Sequence, residues 1–376
     1  MEVAYISNFL NHYQAAFANA MKRKGVTYWF LATEQVPKER LKLGFSDEFN
    51  DLSYVVNISD DPEKARDIVK RCDLLLTAYY ANELSGMRVK AGGITFVVSE
   101  RLFKPTSSKL VSCIKNAGRY IKYRYIHTKY GYRQACYFLL IGQYAADDYI
   151  KCGVPTDRIL KFAYFPELSH FEERSYLPEE EVRFLWIGRL INWKHPDCAI
   201  RVVEKLSQEG YKVRLTMVGN GPMEDKLRAM ARGYNIDLVG GVPFERVRDY
   251  LHDADIYLFT SDYGEGWGCV LNEAMSEGVA AVASIQAGAT TFLTEHSVNG
   301  IVYDGSEDGL YRAALRYVQN PELIELMGRK GRDTMESTWN ADVAVEHLLR
   351  QYERIKAGVA PEQLDGPCSL YTRQDR

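Results

Sequence analysis

The chain has 376 residues, of which 46% are hydrophobic and 26% charged, a composition that excludes long disorder and, at roughly 150 residues per domain, predicts two domains. Its formal charge of -3 excludes the broad basic bias of an enzyme that works on nucleic acid. The average hides an asymmetry, since the stretch between Glu100 and Asp147 holds nine Lys or Arg and no acidic residue.

Along the chain, short apolar runs rich in β-branched and aromatic residues alternate with amphipathic stretches, the pattern of βαβ units and a parallel sheet. The pattern occurs twice. In the first half strands are expected at residues 3–7, 28–32, 54–58, 74–78, 94–98 and 137–141. Residues 165–181 (FPELSHFEERSYLPEEE) are polar, acidic and proline-marked, and read as a linker. In the second half strands are expected at 184–187, 214–218, 236–239, 256–260, 279–283 and 300–303, with a helix at 196–209 that lines up Ala199, Val202, Val203 and Leu206. A last helix at 341–356 places Val345, Leu348, Leu349, Tyr352 and Ile355 at helical spacing, and the segment after Gly358, poor in core formers, is expected to fray. The predicted division is a first domain at 1–168, a linker at 169–181, a second domain at 182–340, a packing helix at 341–358 and a frayed tail at 359–376.

Seven cysteines lie far apart without a C-x-x-C pair, so neither a disulfide framework nor a zinc set is drawn and a reducing compartment is expected. The start, MEVAYISNFLN, lacks a basic and then apolar leader, and no 18-residue apolar run occurs. A cytoplasmic protein is expected, peripheral on the membrane at most.

The most informative stretch is SDYGEGWGCVLNEAMSEG, residues 261–278, directly after the strand IYLFT. Glu265 and Glu273 stand with seven residues between them. A glycosidase pair would hold two carboxylates about 5 to 9.5 Å apart, whereas eight helical steps of about 1.5 Å separate alpha carbons by roughly 12 Å, and glycines 264, 266 and 268 make the first part a loop. A loop opening into a helix near Val270, at the carboxyl end of a parallel strand, is where such sheets bind ligands, and the helix start suits a phosphate. Gly188, Arg189 and Lys194 follow the first strand of this half, two cations in a glycine-started loop that can clamp a diphosphate. His195 beside them reads as a helix-start residue. Gly219, Asn220 and Gly221 end the next strand, and Glu224 stands where a dinucleotide fingerprint needs a third glycine. A nicotinamide or flavin cofactor is thereby excluded. Gly240, Gly241 and Val242 follow the third strand, and Gln286 to Ala289, with Gly288, follow the fifth. Asp253 and Asp255 form a D-x-D triplet, but they lie between a helix and a buried strand, so no metal is read from them.

Together, Glu265, Gly266, Trp267, Gly268, Asn272, Glu273 and Ala274, with the glycine, arginine and lysine positions before them, resemble the E-x7-E signature of retaining, nucleotide-sugar-dependent glycosyltransferases of family 4 (glycosyl transferases group 1). The resemblance spans residues 184–339. It implies the α/β GT-B fold, two facing Rossmann-like domains with a cleft between them, and transfer of a sugar from a nucleotide-sugar donor. A UDP-sugar is favoured and a GDP-sugar is the other choice. The acceptor is a saccharide or lipid-linked saccharide, as in bacterial-type surface polysaccharide synthesis. In the roles it implies, Arg189 and Lys194 hold the diphosphate, Glu265 orients the donor sugar and Glu273 bonds the ribose. Gly188, Gly219, Asn220, Gly221, Val242, Gly266, Trp267, Gly268, Val270, Leu271, Asn272 and Gly288 line the donor. No cofactor and no metal are implied. A same-fold epimerase or phosphorylase, or a non-catalytic sugar-nucleotide binder, is the alternative.

The first half carries fewer marks. Asn11 and His12 follow its first strand and Glu100 ends its fifth, which makes them candidates for the acceptor or reaction centre. The acid-free stretch, residues 101–133, interleaves tyrosines with basic residues. It suits an anionic membrane surface, and nucleic acid is not expected as a partner.

Overall fold

The computed structural model describes residues 1–36, 52–78, 83–103, 109–168 and 181–372. The chain divides into two compact units, Met1–Glu167 with Thr338–Arg376, and Leu168–Ser337. Most of the predicted linker, residues 169–180, lies outside the described residues.

The first unit carries seven strands, β1 (Glu2–Ser7), β2 (Thr27–Ala32), β3 (Val55–Asn57), β4 (Leu74–Ala78), β5 (Thr95–Ser99), β6 (Cys136–Ile141) and β7 (Ile159–Phe162). They pair in the order β3-β2-β1-β4-β5-β6-β7, every pair parallel. Strands buried on both faces need uninterrupted apolar runs, and β1 and β5 have them. The helices are α1 (His12–Arg23), α2 (Pro62–Arg71), α3 (Glu83–Lys90), α4 (Lys109–Tyr130), α5 (Tyr132–Ala135) and α6 (Gln143–Lys151). Helix α2 starts where Pro62 fits the first turn and the Asp61 side chain accepts from the Lys64 amide. The basic stretch is α4. It buries Tyr123 and His127 while Ile114, Ile121 and Tyr125 stay 66%, 68% and 63% exposed.

The second unit runs β8 (Val182–Ile187), α7 (Pro196–Gln208), β9 (Val213–Val218), α8 (Glu224–Met230), β10 (Ile236–Gly240), α9 (Phe244–Asp253), β11 (Ile256–Phe259), α10 (Cys269–Ser276), β12 (Ala280–Ser284), α11 (Thr290–Leu293), β13 (Ile301–Tyr303), α12 (Glu307–Gln319) and α13 (Glu322–Ser337). Its strands pair β10-β9-β8-β11-β12-β13, again all parallel. The apolar face expected on α7 is in the core, where Ala199, Val202, Val203 and Leu206 pack with Phe184, Leu215 and Leu258. Strand order reverses between β8 and β11, and ligands of open α/β sheets bind outside the carboxyl ends of the strands at such a point.

After α13 the chain returns to the first unit as α14 (Ala341–Lys356), which buries Ala344, Val345, Leu348 and Tyr352. Arg23 forks onto Asp342 with two bonds of 2.9 Å and Lys24 meets Glu346 at 2.8 Å, tying α14 to α1.

Two expectations are corrected here. Strand β7 was not read as a strand, because Lys161 interrupts a run of only four residues. The tail does not fray as far as Thr372. Its backbone pairs antiparallel with the edge of β7, with Cys368 N–H donating to Lys161 O, Lys161 N–H to Ser369 O and Tyr371 N–H to Ile159 O. Gln351, fully buried on α14, donates to the carbonyls of Glu362 and Cys368 and accepts from the Glu362 amide. Main-chain bonds and one satisfied amide thus hold a segment too poor in apolar residues to announce itself. All the cysteines are free thiols. Among the described residues no helix is long and apolar enough to cross a membrane.

Candidate functional site

The loops after β8 and β11 flank the reversal point of the second sheet. They carry Arg189, Lys194 and Glu265. Lys194 and Glu265, only 14% and 13% exposed, form an ion pair across the two loops. Ser261 Oγ donates to the same Glu265 oxygen at 3.2 Å. Behind Lys194, Trp186 Nε1 donates to Thr260 Oγ1 at 2.8 Å, and that hydroxyl donates to the Lys194 carbonyl at 2.5 Å. The Lys194 backbone is therefore fixed to the end of β11 before its side chain reaches anything. Arg189 is exposed. Its guanidinium lies 5.9 Å from the Trp193 ring centre, and the Lys194 ammonium lies 5.1 Å from the same ring. No carboxylate pairs with Arg189 among the described residues. An ion pair this far from water is held by geometry, and removing one partner strands the other charge.

The neighbouring loops lock together by backbone. Gly188 N–H donates to Val218 O at 3.0 Å, Leu190 N–H to Asn220 O at 2.9 Å and Gly219 N–H to Gly240 O at 2.8 Å. A β-carbon on Gly219, at φ 137°, would sit 1.8 Å from Gly188 O, and one on Gly221 2.4 Å from Leu190 O. These glycines let one loop approach another more closely than any side chain would allow. Asn220 Oδ1 accepts from the Gly241 amide at 2.6 Å and so sets the loop of Gly240, Gly241 and Val242.

The start of α10 is built the same way. Gly268, at φ 100°, stands where a β-carbon would strike the Phe259 ring at 2.2 Å. Gly288 N–H donates to Glu265 O at 3.3 Å and Ala289 N–H to Trp267 O at 3.2 Å, pinning the loop after β12 onto the Glu265 loop. Trp267 and Asn272 are buried, and the indole N–H donates to Asn272 Oδ1 at 2.7 Å. Leu271 is buried as well. The side chains of Trp267, Leu271 and Asn272 are thus packed inside the unit at the start of α10. Gly266 is buried, and Cys269 and Val270 are half-buried. Burial pushes the Tyr257 hydroxyl well above its ordinary range, and the charges of Glu265 and Glu273 add to it. Both glutamates thus lie within electrostatic reach of one buried ring, and Glu273 is half-buried on α10.

Sequence reading missed Asp262. Its Oδ2 contacts His195 Nε2 at 3.2 Å, its Oδ1 accepts from the Gly264 amide at 2.7 Å and its own amide donates to Trp193 O at 2.9 Å. His195 is the residue before α7, as expected, but it adopts φ 49° and ψ 48°. The hydrogen bond to Asp262, then that to Cys198, raise its pKa to about 10. A polar residue just past a buried strand was the available signal. His195, Asp197 and Cys198 bring one ligand atom each within 4.8 Å of one another. Arg201 and Lys226 already bond Asp197 at 3.2 and 3.0 Å, and Arg201 reaches Cys198 Sγ at 3.2 Å. Asp197 and Cys198 are thus already bonded by side-chain cations.

The D-x-D pair lies at the opposite edge. Asp255 takes Arg183 Nη2 at 2.7 Å on one oxygen and the Arg183 amide and Nε at 2.8 and 3.1 Å on the other. Asp253 is held by Arg183 at 3.0 Å and Arg214 at 2.8 Å. Both are structural, at the amino ends of the strands.

In the first unit, Asn11 caps α1. Its Oδ1 accepts from the Tyr13 and Gln14 amides at 3.1 Å each, and Gln14 returns the bond. That oxygen is taken up by the start of the helix. His12 packs on Tyr13 with ring centres 3.9 Å apart, Tyr13 on Tyr164 at 5.8 Å, and Tyr164 O–H donates to Glu100 at 2.8 Å. His12 and Glu100 therefore end one aromatic row at the carboxyl edge of the first sheet.

Residues 170–334 match the family model described as glycosyl transferases group 1. The amylovoran biosynthesis glycosyltransferase AmsK of Erwinia amylovora is 30% identical over 218 residues, 55% of this chain and 53% of that protein. The GDP-mannose-dependent alpha-(1-6)-phosphatidylinositol monomannoside mannosyltransferase of Mycolicibacterium smegmatis is 28% identical over 220 residues, 55% and 56% of the two chains. The chain spans about half the length of the curated relatives it matches. Among solved structures, sucrose-phosphate synthase from Thermosynechococcus elongatus superposes with a TM-score of 0.68 at 16% identity, over 95% of this chain and all of that one (100%). Anabaena HepE in complex with UDP gives 0.66 at 14% identity, over 93% and 100%. The fold is GT-B, with two parallel-sheet α/β domains.

Proposed function

We propose that the chain is a retaining glycosyltransferase of family 4 that moves a sugar from a nucleotide-sugar donor, a UDP-sugar in the first instance and a GDP-sugar in the second, to a saccharide or lipid-linked saccharide acceptor of surface polysaccharide synthesis. The observation that carries this is the Lys194–Glu265 pair beside Arg189, which pairs with no carboxylate among the described residues, at the reversal point of the second sheet. The family match over residues 170–334 and the UDP held by HepE support it.

In this reading the donor diphosphate meets Arg189 and takes over hydrogen bonds of the Lys194 ammonium. Glu265 is then released toward a sugar hydroxyl, and Glu273 bonds the ribose. The acceptor oxygen bonds to the anomeric carbon on the face that the diphosphate leaves, the carbon–oxygen bond to the diphosphate breaks, and the acceptor proton passes to a diphosphate oxygen. Charge builds on that leaving group, so fixed cations aimed at it lower the barrier. His12 and Glu100 belong to the acceptor-handling unit.

The acceptor reading extends to the membrane through α4. At about 100° per residue, Val111, Ile114, Ile121 and Tyr125 fall within an arc of roughly 80° on the side away from the buried Tyr123 and His127. Lys115, Lys122 and Lys129, all exposed, border that arc. An apolar ridge edged by cations suits an anionic lipid surface, each cation contributing on the order of 1 kcal/mol.

Calorimetry with UDP and GDP, followed by transfer assays with a panel of sugar nucleotides, tests the donor reading. Binding that Glu273→Ala weakens and Glu265→Ala leaves within about threefold is expected, with transfer lost in both. A wild type that binds neither nucleotide sinks it. Cosedimentation with anionic but not neutral vesicles, released by high salt and lost in Ile114→Ser/Ile121→Ser, is expected of α4.

A further inference from the structure

We infer that His195 and Asp262 form a brace that positions Lys194 for the donor diphosphate, an inference that rests on the donor-site reading above and refines it. His195 stands between Lys194 and Pro196 in a left-handed conformation, φ 49° and ψ 48°. A non-glycine residue pays steric strain there, and the residue before a proline is restricted further. Such a turn persists only where its surroundings over-determine it. The backbone supplies part of the restraint, with His195 N–H donating to Asn192 O and Cys198 N–H to His195 O, each at 3.1 Å. The ring supplies the rest through Asp262.

Asp262 is bonded to both neighbours of Lys194, to Trp193 through its amide and to His195 through its carboxylate. It is also bonded to the segment that ends in Glu265, through the Gly264 amide at its Oδ1 and the Glu265 amide at its carbonyl. One residue therefore registers the turn that carries the ammonium against the loop that carries the carboxylate. The charged and titratable groups around the ring are Asp262 from the β11 loop and Cys198 and Asp197 from α7, with Arg201 and Lys226 bonded to Asp197. With its pKa raised to about 10, His195 carries its charge at neutral pH and the brace is ionic there.

The test is calorimetry with UDP on the whole chain. Glycine adopts a positive φ without strain, so His195→Gly removes the ring and leaves the turn its conformation. Roughly tenfold weaker UDP binding is expected in His195→Gly, with Asp262→Asn, which keeps an oxygen for the Gly264 amide, losing less. In a Lys194→Ala background the same His195→Gly change is expected to cost less than about twofold, while in an Arg189→Ala background it keeps its tenfold cost. A merely structural ring would give additive losses in both backgrounds, and that result, or UDP affinity unchanged in His195→Gly, overturns the brace alone. A wild type that binds no UDP, GDP or ADP overturns the donor-site reading and the brace together.

Discussion

Strands β8 and β11 carry an ion pair at each end, and the two pairs are built to opposite rules. At the amino end Arg183 and Asp255 are saturated, with both carboxylate oxygens bonded and the guanidinium forked. At the carboxyl end Lys194 meets Glu265 through a single oxygen that Ser261 shares, and among the described residues the other oxygen takes no hydrogen bond. A saturated pair has nothing left to offer and holds strands in register. An unsaturated one, kept in place by Thr260 and Asp262, can exchange partners with a ligand without rebuilding its surroundings.

The largest effect that would break this comparison is on transfer. Lys194→Ala should lower turnover by two to three orders of magnitude, about the 2.7–4 kcal/mol lost with one charge-stabilising donor. Steady-state transfer measurements check it, and a loss within threefold would place the unsaturated pair in the structural class. Arg183→Ala should do the reverse, lowering stability by about 2 kcal/mol while UDP affinity stays within threefold. The figure is set below the 3–5 kcal/mol of fully buried pairs because Arg183 is a third exposed. Urea unfolding and calorimetry on the same preparation decide it. Trp267→Phe leaves Asn272 without its indole donor and should cost about 1–2 kcal/mol of stability, with a smaller loss of UDP affinity.

The smallest effect is one of pH. His195 has its pKa raised to about 10, so the stability its charge contributes is fully present below its unfolded value near 6.5 and is lost as pH rises toward 10. The thermal midpoint should therefore decline across that window, and Asp262→Asn should flatten the decline. A slope unchanged in Asp262→Asn would show that another group sets it.

The parallel sheets were legible because strands buried on both faces must be apolar throughout, and β8, β11 and β12 are nearly so. β7 was not, since four residues with a lysine among them leave no period to read. The pairing of Lys194 with Glu265 was legible only as two members of one resembling motif set, each given its own ligand, because a separation of 71 positions carries no local signal of contact. Asp262 was hidden for the same reason. Its partner His195 is read from sequence as a helix start, which it is, and nothing local announces the left-handed turn. Asn11 has a role that its position after a strand did not announce: its Oδ1 caps the first amides of α1.

The return of the chain to β7 sets an order of assembly. While the ribosome makes Leu168–Ser337, on the order of ten to thirty seconds at about 5–20 residues per second, the first unit has neither α14 against α1 nor residues 368–371 along the edge of β7. An open edge strand in a nascent chain is a template for pairing with another copy. Lys161, the residue that hid β7 from sequence reading, stands on that edge, and a lysine there discourages such pairing until residues made later arrive to cover it.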